Sequence, residues 1–301
     1  MKKYYLLFAN EKVLHYLAEK NISKTSMLLS IILPSVATWC ENIRNPEYSN
    51  IIKLDNHTIR FYTELLNINE RSFKKCIKEL QDVSILKRKK ADEFYCNPFW
   101  SSTGEDKSII AFRNYCVQKQ LFVPFELQDI PEEKKQEWLS EFLARNPSAE
   151  KHIGIYIGNN AQNYTAFVGK GKERLNSTDI LLLLSLAFRC SYIIQPKGKN
   201  IQGNVFISNG EIEKNLAKNL CVETRTLRDS FLKLRRKEMI CKLPKINGKY
   251  LVNPFIFAKG DGNNNVRKFQ YMIRLSGTDY FDGYAEGDIS TSFSENLLTK
   301  N

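Results

Sequence analysis

Two stretches of this chain space their side chains as a surface for anion recognition requires. In "RSFKKCIKEL" (residues 71–80), Phe73, Ile77 and Leu80 recur at i, i+4 and i+7, the period of a helical apolar stripe. Arg71, Ser72, Lys74, Lys75 and Lys78 fall between them and face outward. In "RTLRDSFLKLRR" (residues 225–236) the stripe is Leu227, Phe231 and Leu234. Here Arg225, Thr226, Arg228, Asp229 and Lys233 lie between, with Arg235 and Arg236 following. A guanidinium grips the edge of a guanine through two parallel hydrogen bonds, while an ammonium neutralises a phosphate as a point charge. Beyond each helix stands a second basic group: Lys87, Arg88, Lys89 and Lys90 in one case, Lys242, Lys245 and Lys249 in the other. Both groups are placed to reach a sugar–phosphate backbone beside a groove.

The charge of the whole chain follows these stretches. Its 301 residues carry 45 Lys and Arg against 33 Asp and Glu, a net of +12. Residues 53–90 hold a net of +5 and residues 212–249 a net of +7, so the remainder is neutral. For any single lysine, solubility is the simpler role. Two basic patches that hold the entire excess point instead to double-stranded DNA.

Other chemistries find little support. The seven cysteines (Cys40, Cys76, Cys96, Cys116, Cys190, Cys221 and Cys241) are scattered with no C-x-x-C, and the only histidines are His15, His57 and His152. This suits small buried thiols in a reducing cytoplasm, with no metal and no cofactor expected. No phosphate-binding G-x-x-x-x-G-K-[ST] exists, and the acids Asp129, Glu132 and Glu133 around Pro131 read as an ordinary first helical turn, so no enzyme is expected. The opening "MKKYYLLFANEK" is too short in apolar residues for a secretory signal, and "ILLLLSLAF" (180–188) is too short to span a bilayer.

At 43% hydrophobic and 12% aromatic residues the chain can bury cores, and its length suits about two domains. Those domains are copies of one another. Sliding the chain by 154 residues sets Leu66 on Leu220, Arg71 on Arg225, Ile77 on Phe231 and Leu80 on Leu234; after a two-residue insertion the offset is 156, and Asn97-Pro98 meets Asn253-Pro254. The repeat covers residues 21–115 and 176–272. Each copy reads as an apolar helix with Thr25/Ser26 or Ser177/Thr178 as N-caps, then a short strand ending at the cap candidates Asp55 or Asn209. Two helices joined by a tight turn follow, then strand, turn, strand, with Asn247-Gly248 as a hairpin signal. This is the plan of a winged helix-turn-helix. The expected class is mainly α with small β wings (α+β), in tandem domains.

The expected domains are 1–115, a first winged-helix domain with an N-terminal extension; 116–175, a connecting helix and strand pair; 176–275, a second winged-helix domain; and 276–301, an acidic flexible tail. In the connector, Trp138, Phe142 and Leu143 mark the apolar side of a helix, and Ile153, Ile155 and Ile157 alternate as in a strand.

Each copy closes on one phrase, "FYCNPFWSSTG" (94–104) and "YLVNPFIFAKG" (250–260). Pro98 and Pro254 cannot donate to a ladder, and Asn97 and Asn253 are pushed toward extended backbone, so the phrase reads as a strand exit, with Gly104 and Gly260 redirecting the chain. "GKYLVNPFIFAKG" behind a basic winged-helix core resembles the RepL-type replication proteins of plasmids and phages. The likeness is good over residues 211–271 and weaker over 55–115, where Thr103 replaces the Lys before Gly. It implies DNA binding in replication initiation, with host replication machinery as a partner. A transcriptional repressor or activator on the same scaffold is the alternative, and a protein-interaction scaffold is a second. A homo-oligomer is compatible with either, and no membrane partner is expected.

Overall fold

The structure, a computed structural model, describes residues 5–8, 11–40, 43–128, 130–144, 153–155, 174–193, 203–243 and 248–260, with positions 266, 269–271 and 273. Among them the chain is mainly helical with three small antiparallel sheets, an α+β arrangement. In the first half the order is β1 (Tyr5–Leu7), α1 (Glu11–Glu19), α2 (Lys24–Ile32), β2 (Ile51–Lys53), α3 (Asn56–Leu66), α4 (Glu70–Asp82), β3 (Leu86–Arg88), β4 (Glu93–Cys96), β5 (Ser101–Ser102) and α5 (Asp106–Gln118). There follow α6 (Glu132–Ala144), β6 (Ile153–Ile155), α7 (Ser177–Arg189), β7 (Val205–Ile207), α8 (Gly210–Asn219), α9 (Thr224–Arg236), β8 (Ile240–Lys242), β9 (Lys249–Val252) and β10 (Phe257–Ala258).

The core helix of each half is apolar on nearly every side. In α2 all residues from Ser26 to Ile32 are buried, and in α7 all from Asp179 to Ala187. Each fully buried Leu or Ile side chain stabilises by about 1.5–3 kcal/mol relative to exposure. The N-caps are Ser23 and Asn176, just ahead of the Thr25/Ser26 and Ser177/Thr178 expected from sequence. The cause is local: Asn176 and Asp179 bond each other's backbone N–H groups in a capping box, which fixes the start of α7. Pro34 ends α2, and the chain tightens into a 3-10 turn over Leu33–Val36.

The caps expected at Asp55 and Asn209 are in place, accepting from the N–H groups of Thr58 and Ile212 at 2.9 Å each. The stripes of α4 (Phe73, Cys76, Ile77, Leu80) and α9 (Leu227, Ser230, Phe231, Leu234) are buried, against α2 and α7 respectively. Behind them β4 lies between β2 and β3 with Ile52 opposite Phe94 and Lys87 opposite Tyr95. In the second half β9 lies between β7 and β8, with Phe206 opposite Tyr250 and Cys241 opposite Leu251. These are the same registers, displaced by the offsets of the sequence repeat.

The duplication extends to individual hydrogen bonds. Asn50 and Asn204 both hold left-handed backbone, φ 54° and 53°. The amide of Asn50 donates to the carbonyls of Cys96 and Ser101 at 2.9 and 2.8 Å, and that of Asn204 to Val252 and Phe257 at 2.8 Å each. Past the phrase, the Arg113 side chain donates to the Pro98 carbonyl at 3.1 Å and the Gln270 side chain to the Pro254 carbonyl at 2.6 Å.

The halves meet in a four-stranded sheet of order β10-β6-β1-β5. Residues 153–155, expected in a strand pair of the connector, instead pair with β1 on one side and β10 on the other. They hold in the second half the place that β1 holds in the first. The remainder of that expected strand pair, the hairpin tip at Asn247 and the tail 276–301 lie outside the described residues. On α6 Leu139 is buried, whereas Trp138, expected on the apolar side, is 41% exposed; the side chains of Phe142 and Leu143 lie outside the described residues. Neighbouring residues of a helix point in directions about 100° apart, so Leu139 turns inward where Trp138 does not.

Candidate nucleic-acid interface

The apolar stripes of α4 and α9 are consumed by docking, which leaves their other sides to solvent. On α4, Arg71, Lys74, Lys75 and Lys78 are exposed and Ser72 is half-buried, its backbone N–H taken by the Asn69 cap at 2.8 Å. On α9, Arg225, Thr226, Arg228, Asp229, Arg235 and Arg236 are exposed. Two of these cations are engaged at the surface: Lys74 with Glu70 at 2.6 Å, and Arg228 with Glu213 of α8 at 3.1 Å. Exposed pairs of this kind contribute about 0–1 kcal/mol, so a phosphate can replace the carboxylate at little cost. Arg71, Lys78 and Arg225 have no ion-pair partner among the described residues.

Lys233 departs from expectation. Its Nζ lies 2.7 Å from Oδ2 of Asp179, a residue 1% exposed, and 2.6 Å from the Arg174 carbonyl. A buried carboxylate at the start of α7 needs a cation within reach, and Lys233 on the flank of α9 supplies it. It ties α9 to α7 and does not belong to the outward face.

The β3–β4 hairpin presents Lys87, Arg88 and Lys90 to solvent, with Lys87 donating to the Gln120 carbonyl at 3.0 Å and Lys90 paired with Glu93 at 3.0 Å. Lys89 is the exception in this run. It is half-buried over the rings of Tyr48 and Tyr95, at 5.0 and 5.3 Å, and donates to the Glu47 carbonyl at 3.1 Å. Lys89 lies past the end of β3, where the chain turns, and the two rings and the Glu47 carbonyl draw it inward while its neighbours stay in solvent. In the second half Lys242 is exposed, Lys249 is half-buried, and Lys245 lies outside the described residues.

Between α4 and this hairpin runs a groove of about 500 Å³. Ile59, Phe73, Ile77 and Phe94 form its floor, with Lys78 and Arg88 at its rim. At the matching place in the second half the Phe231 and Tyr250 rings pack at 5.7 Å and the Glu213–Arg228 pair crosses above. The two basic faces are therefore related but not identical.

The Asn-Pro phrase is built into the core. Asn97 and Asn253 are 0% and 1% exposed. Each side-chain amide donates to the carbonyl of a residue in left-handed backbone just after the helix, Ser84 at 2.7 Å and Glu238 at 3.0 Å. Each side-chain oxygen accepts the N–H two residues on, Phe99 or Phe255, at 2.9 Å. One residue thus closes the end of α4 or α9, the exit of the hairpin and the turn at Pro. Gly104 approaches Cys40 so closely that a Cβ would stand 2.6 Å from the Cys40 Cβ, with φ at +149° besides. Lys259, whose counterpart is Thr103, donates from Nζ to the Phe188 and Cys190 carbonyls at the end of α7 at 2.5 and 3.0 Å, satisfying otherwise orphan helix acceptors.

Sequence reasoning passed over Arg174 and Arg189, which join the halves, and marked Thr25 and Ser177 only as cap candidates. Arg174 donates to the Leu66 carbonyl and to Thr25 Oγ1 at 3.2 and 3.3 Å, and burial lowers its pKa. Ser177 Oγ donates to the Ile22 carbonyl at 3.1 Å, and Arg189 pairs with Glu11 at 2.5 Å. The isolated positions of Arg174 and Arg189 carry no motif that could have marked them.

Among the described residues no group of three or more His, Cys, Asp or Glu could hold a metal ion, and no helix is long and apolar enough to cross a membrane. Burial pushes the thiols of Cys40, Cys96 and Cys190 up to about 12. No protein-family model matches the chain, and no curated protein or solved structure matches it either.

Proposed function

We propose that this chain is a sequence-specific double-stranded DNA-binding protein whose halves are winged helix-turn-helix units. Helices α4 and α9 are the recognition helices, and the β3–β4 and β8–β9 hairpins are the wings. One observation carries this reading: each second helix of the pair buries an apolar stripe and exposes Arg and Lys on the side away from the core. A helix of that kind can enter a major groove with its dry side held by the domain.

Arg71, Arg225 and Arg228 are the base-reading candidates on this reading, and Lys75, Lys78, Arg88 and Lys242 contact phosphate. Replication initiation is the role supported by the likeness of the Asn-Pro phrase to RepL-type proteins. Footprints on repeated elements of a replication origin support that role, whereas footprints across a promoter support transcriptional control.

Fluorescence anisotropy of a labelled duplex over a salt series tests DNA binding itself. The logarithm of affinity is expected to fall linearly with the logarithm of salt, with a slope near −0.9 per neutralised phosphate. Arg225→Ala with Arg228→Ala should cost about 1–3 kcal/mol for each base edge no longer gripped and relax sequence preference. Lys75→Ala with Lys78→Ala should weaken all sequences alike and reduce the slope by about 1 for each phosphate no longer neutralised. A flat salt response in the unaltered protein would overturn the reading in favour of a protein-interaction scaffold.

A further inference from the structure

The shared sheet fixes how the halves are related. Strand β1 pairs with β6 antiparallel, with Leu6 opposite Gly154, Tyr5 opposite Ile155 and Leu7 opposite Ile153. On the outer side Leu6 faces Ser102 and Leu7 faces Ser101; in the other half Gly154 faces Ala258 and Ile155 faces Phe257. Exchange Leu6 with Gly154 and Leu7 with Ile155, and Ser102 exchanges with Ala258 and Ser101 with Phe257. That second exchange is a shift of 156 residues, the same shift that sets Asn97 on Asn253. The sheet maps onto itself under a local two-fold axis through the Leu6–Gly154 pair. Helices α2 and α7 also pack against each other, with Ser177 at the start of α7 bonded to Ile22 just before α2.

We propose that the DNA site of this chain is an imperfect inverted repeat, read one half by α4 and the other by α9. The inference rests on the DNA-binding reading above and adds the orientation of the half-sites to it. A two-fold axis relates two recognition helices so that they meet identical groove edges only when the half-sites run in opposite directions, as in operators bound by symmetric dimers. Direct repeats require units related by translation and rotation along the duplex, which this antiparallel sheet does not provide. The repeat is imperfect because the faces differ. Arg71 and Arg225 occupy equivalent positions and specify a base common to both halves. At the next outward positions Lys74 stands against Arg228, Lys75 against Asp229, and Lys78 against Leu232, which is 48% exposed. Asp accepts from a cytosine amine and Leu contacts a thymine methyl, whereas Lys favours phosphate, so the half-site under α9 carries more sequence information.

The test is selection of the full chain on a randomised duplex library, followed by anisotropy on synthetic duplexes in which one half-site is inverted in place. Selected sites are expected to contain two opposed half-sites with centres about 10 bp apart, or a multiple of that turn. Reversing one half-site should weaken binding by about tenfold or more. Arg71→Ala should relax selection in one half only and Arg225→Ala in the other. Selection of direct repeats, indifference to the reversal, or relaxation of the same half by both variants would overturn the inference while leaving DNA binding intact. Absence of any salt-dependent binding would overturn the DNA-binding reading, and the inference with it.

Discussion

Glu79 on α4 and Lys233 on α9 stand at the same step of equivalent helices, carry opposite charge, and make the same docking contact. Glu79 accepts from Ser26 Oγ at 2.7 Å and from the Ser23 N–H at 3.1 Å, at the start of α2. Lys233 meets Asp179 at the start of α7. The difference lies in what each helix start presents. The α2 terminus offers donors and the partial positive charge of a helix N-terminus, which a carboxylate satisfies. The α7 terminus already contains a carboxylate in its capping box, so only a cation fits.

Lys233→Ala should therefore destabilise the fold by about 3 kcal/mol, because it strands the buried Asp179 charge. Urea unfolding measures this. The same variant, assayed where it is folded, should keep the salt slope of DNA binding unchanged, in contrast to Lys75→Ala.

Glu79 sets part of the acid limit. Burial works against its charged form, but the bonds from Ser26 and Ser23 outweigh that and hold its carboxyl below the ordinary 4.5. A depressed folded pKa gives stability that is present above the unfolded value and is lost as pH falls through the folded one. Glu79→Gln should lower stability at neutral pH and flatten its fall below pH about 4.5. An unchanged acid limb in unfolding midpoints measured across that range would count against this role.

Asn97→Ala and Asn253→Ala each leave a carbonyl and an N–H unpaired beside Pro98 or Pro254. Each should cost about 2–3 kcal/mol. Because both residues are buried, the folded fraction should bind DNA with unaltered sequence preference. Asn→Asp at either place should be worse, since it replaces the donor to Ser84 or Glu238 with an acceptor.

The thiols divide by burial. Cys40, Cys76, Cys96, Cys116 and Cys190 are buried, Cys241 is intermediate and Cys221 is exposed. An aromatic disulfide reagent should titrate Cys221 quickly, Cys241 slowly and the remaining thiols only in denaturant. The upward shifts of Cys40, Cys96 and Cys190 from 9.0 to about 12 also have a stability sign. Above pH 9 the unfolded thiols lose protons that the folded ones keep, so the unfolded state binds fewer protons and stability should fall as pH rises from 9 toward 12. Unfolding midpoints at about pH 8 and about pH 10 would expose this trend or its absence.

Much of the fold was legible because it is written in local periods. The 3.6-residue spacing of Phe73, Ile77 and Leu80, and of Leu227, Phe231 and Leu234, named the docked faces correctly. The caps at Asp55 and Asn209 were equally local. Asn50 and Asn204 lay inside the aligned segments but gave no signal by themselves. Their importance comes from carbonyls about fifty residues away that only folding brings near. Strand β1 is three residues, too short for a period to show; the alternation of Ile153 and Ile155 marked β6 as a strand, but its partners are remote in sequence.

The sequence by itself determined that the chain is doubled, which side of each helix is apolar, and where the positive charge is concentrated. These depend on composition and on spacings within a few turns of chain. The tertiary structure alone decided that Lys233 and Lys89 are turned inward, that the Asn-Pro phrase is a buried clamp, and that the halves face each other across a local two-fold axis. Whether a charge is spent on a neighbour or offered to solvent depends on desolvation and on which partner lies within a few ångströms. That partner usually comes from far along the chain, where no local pattern can announce it.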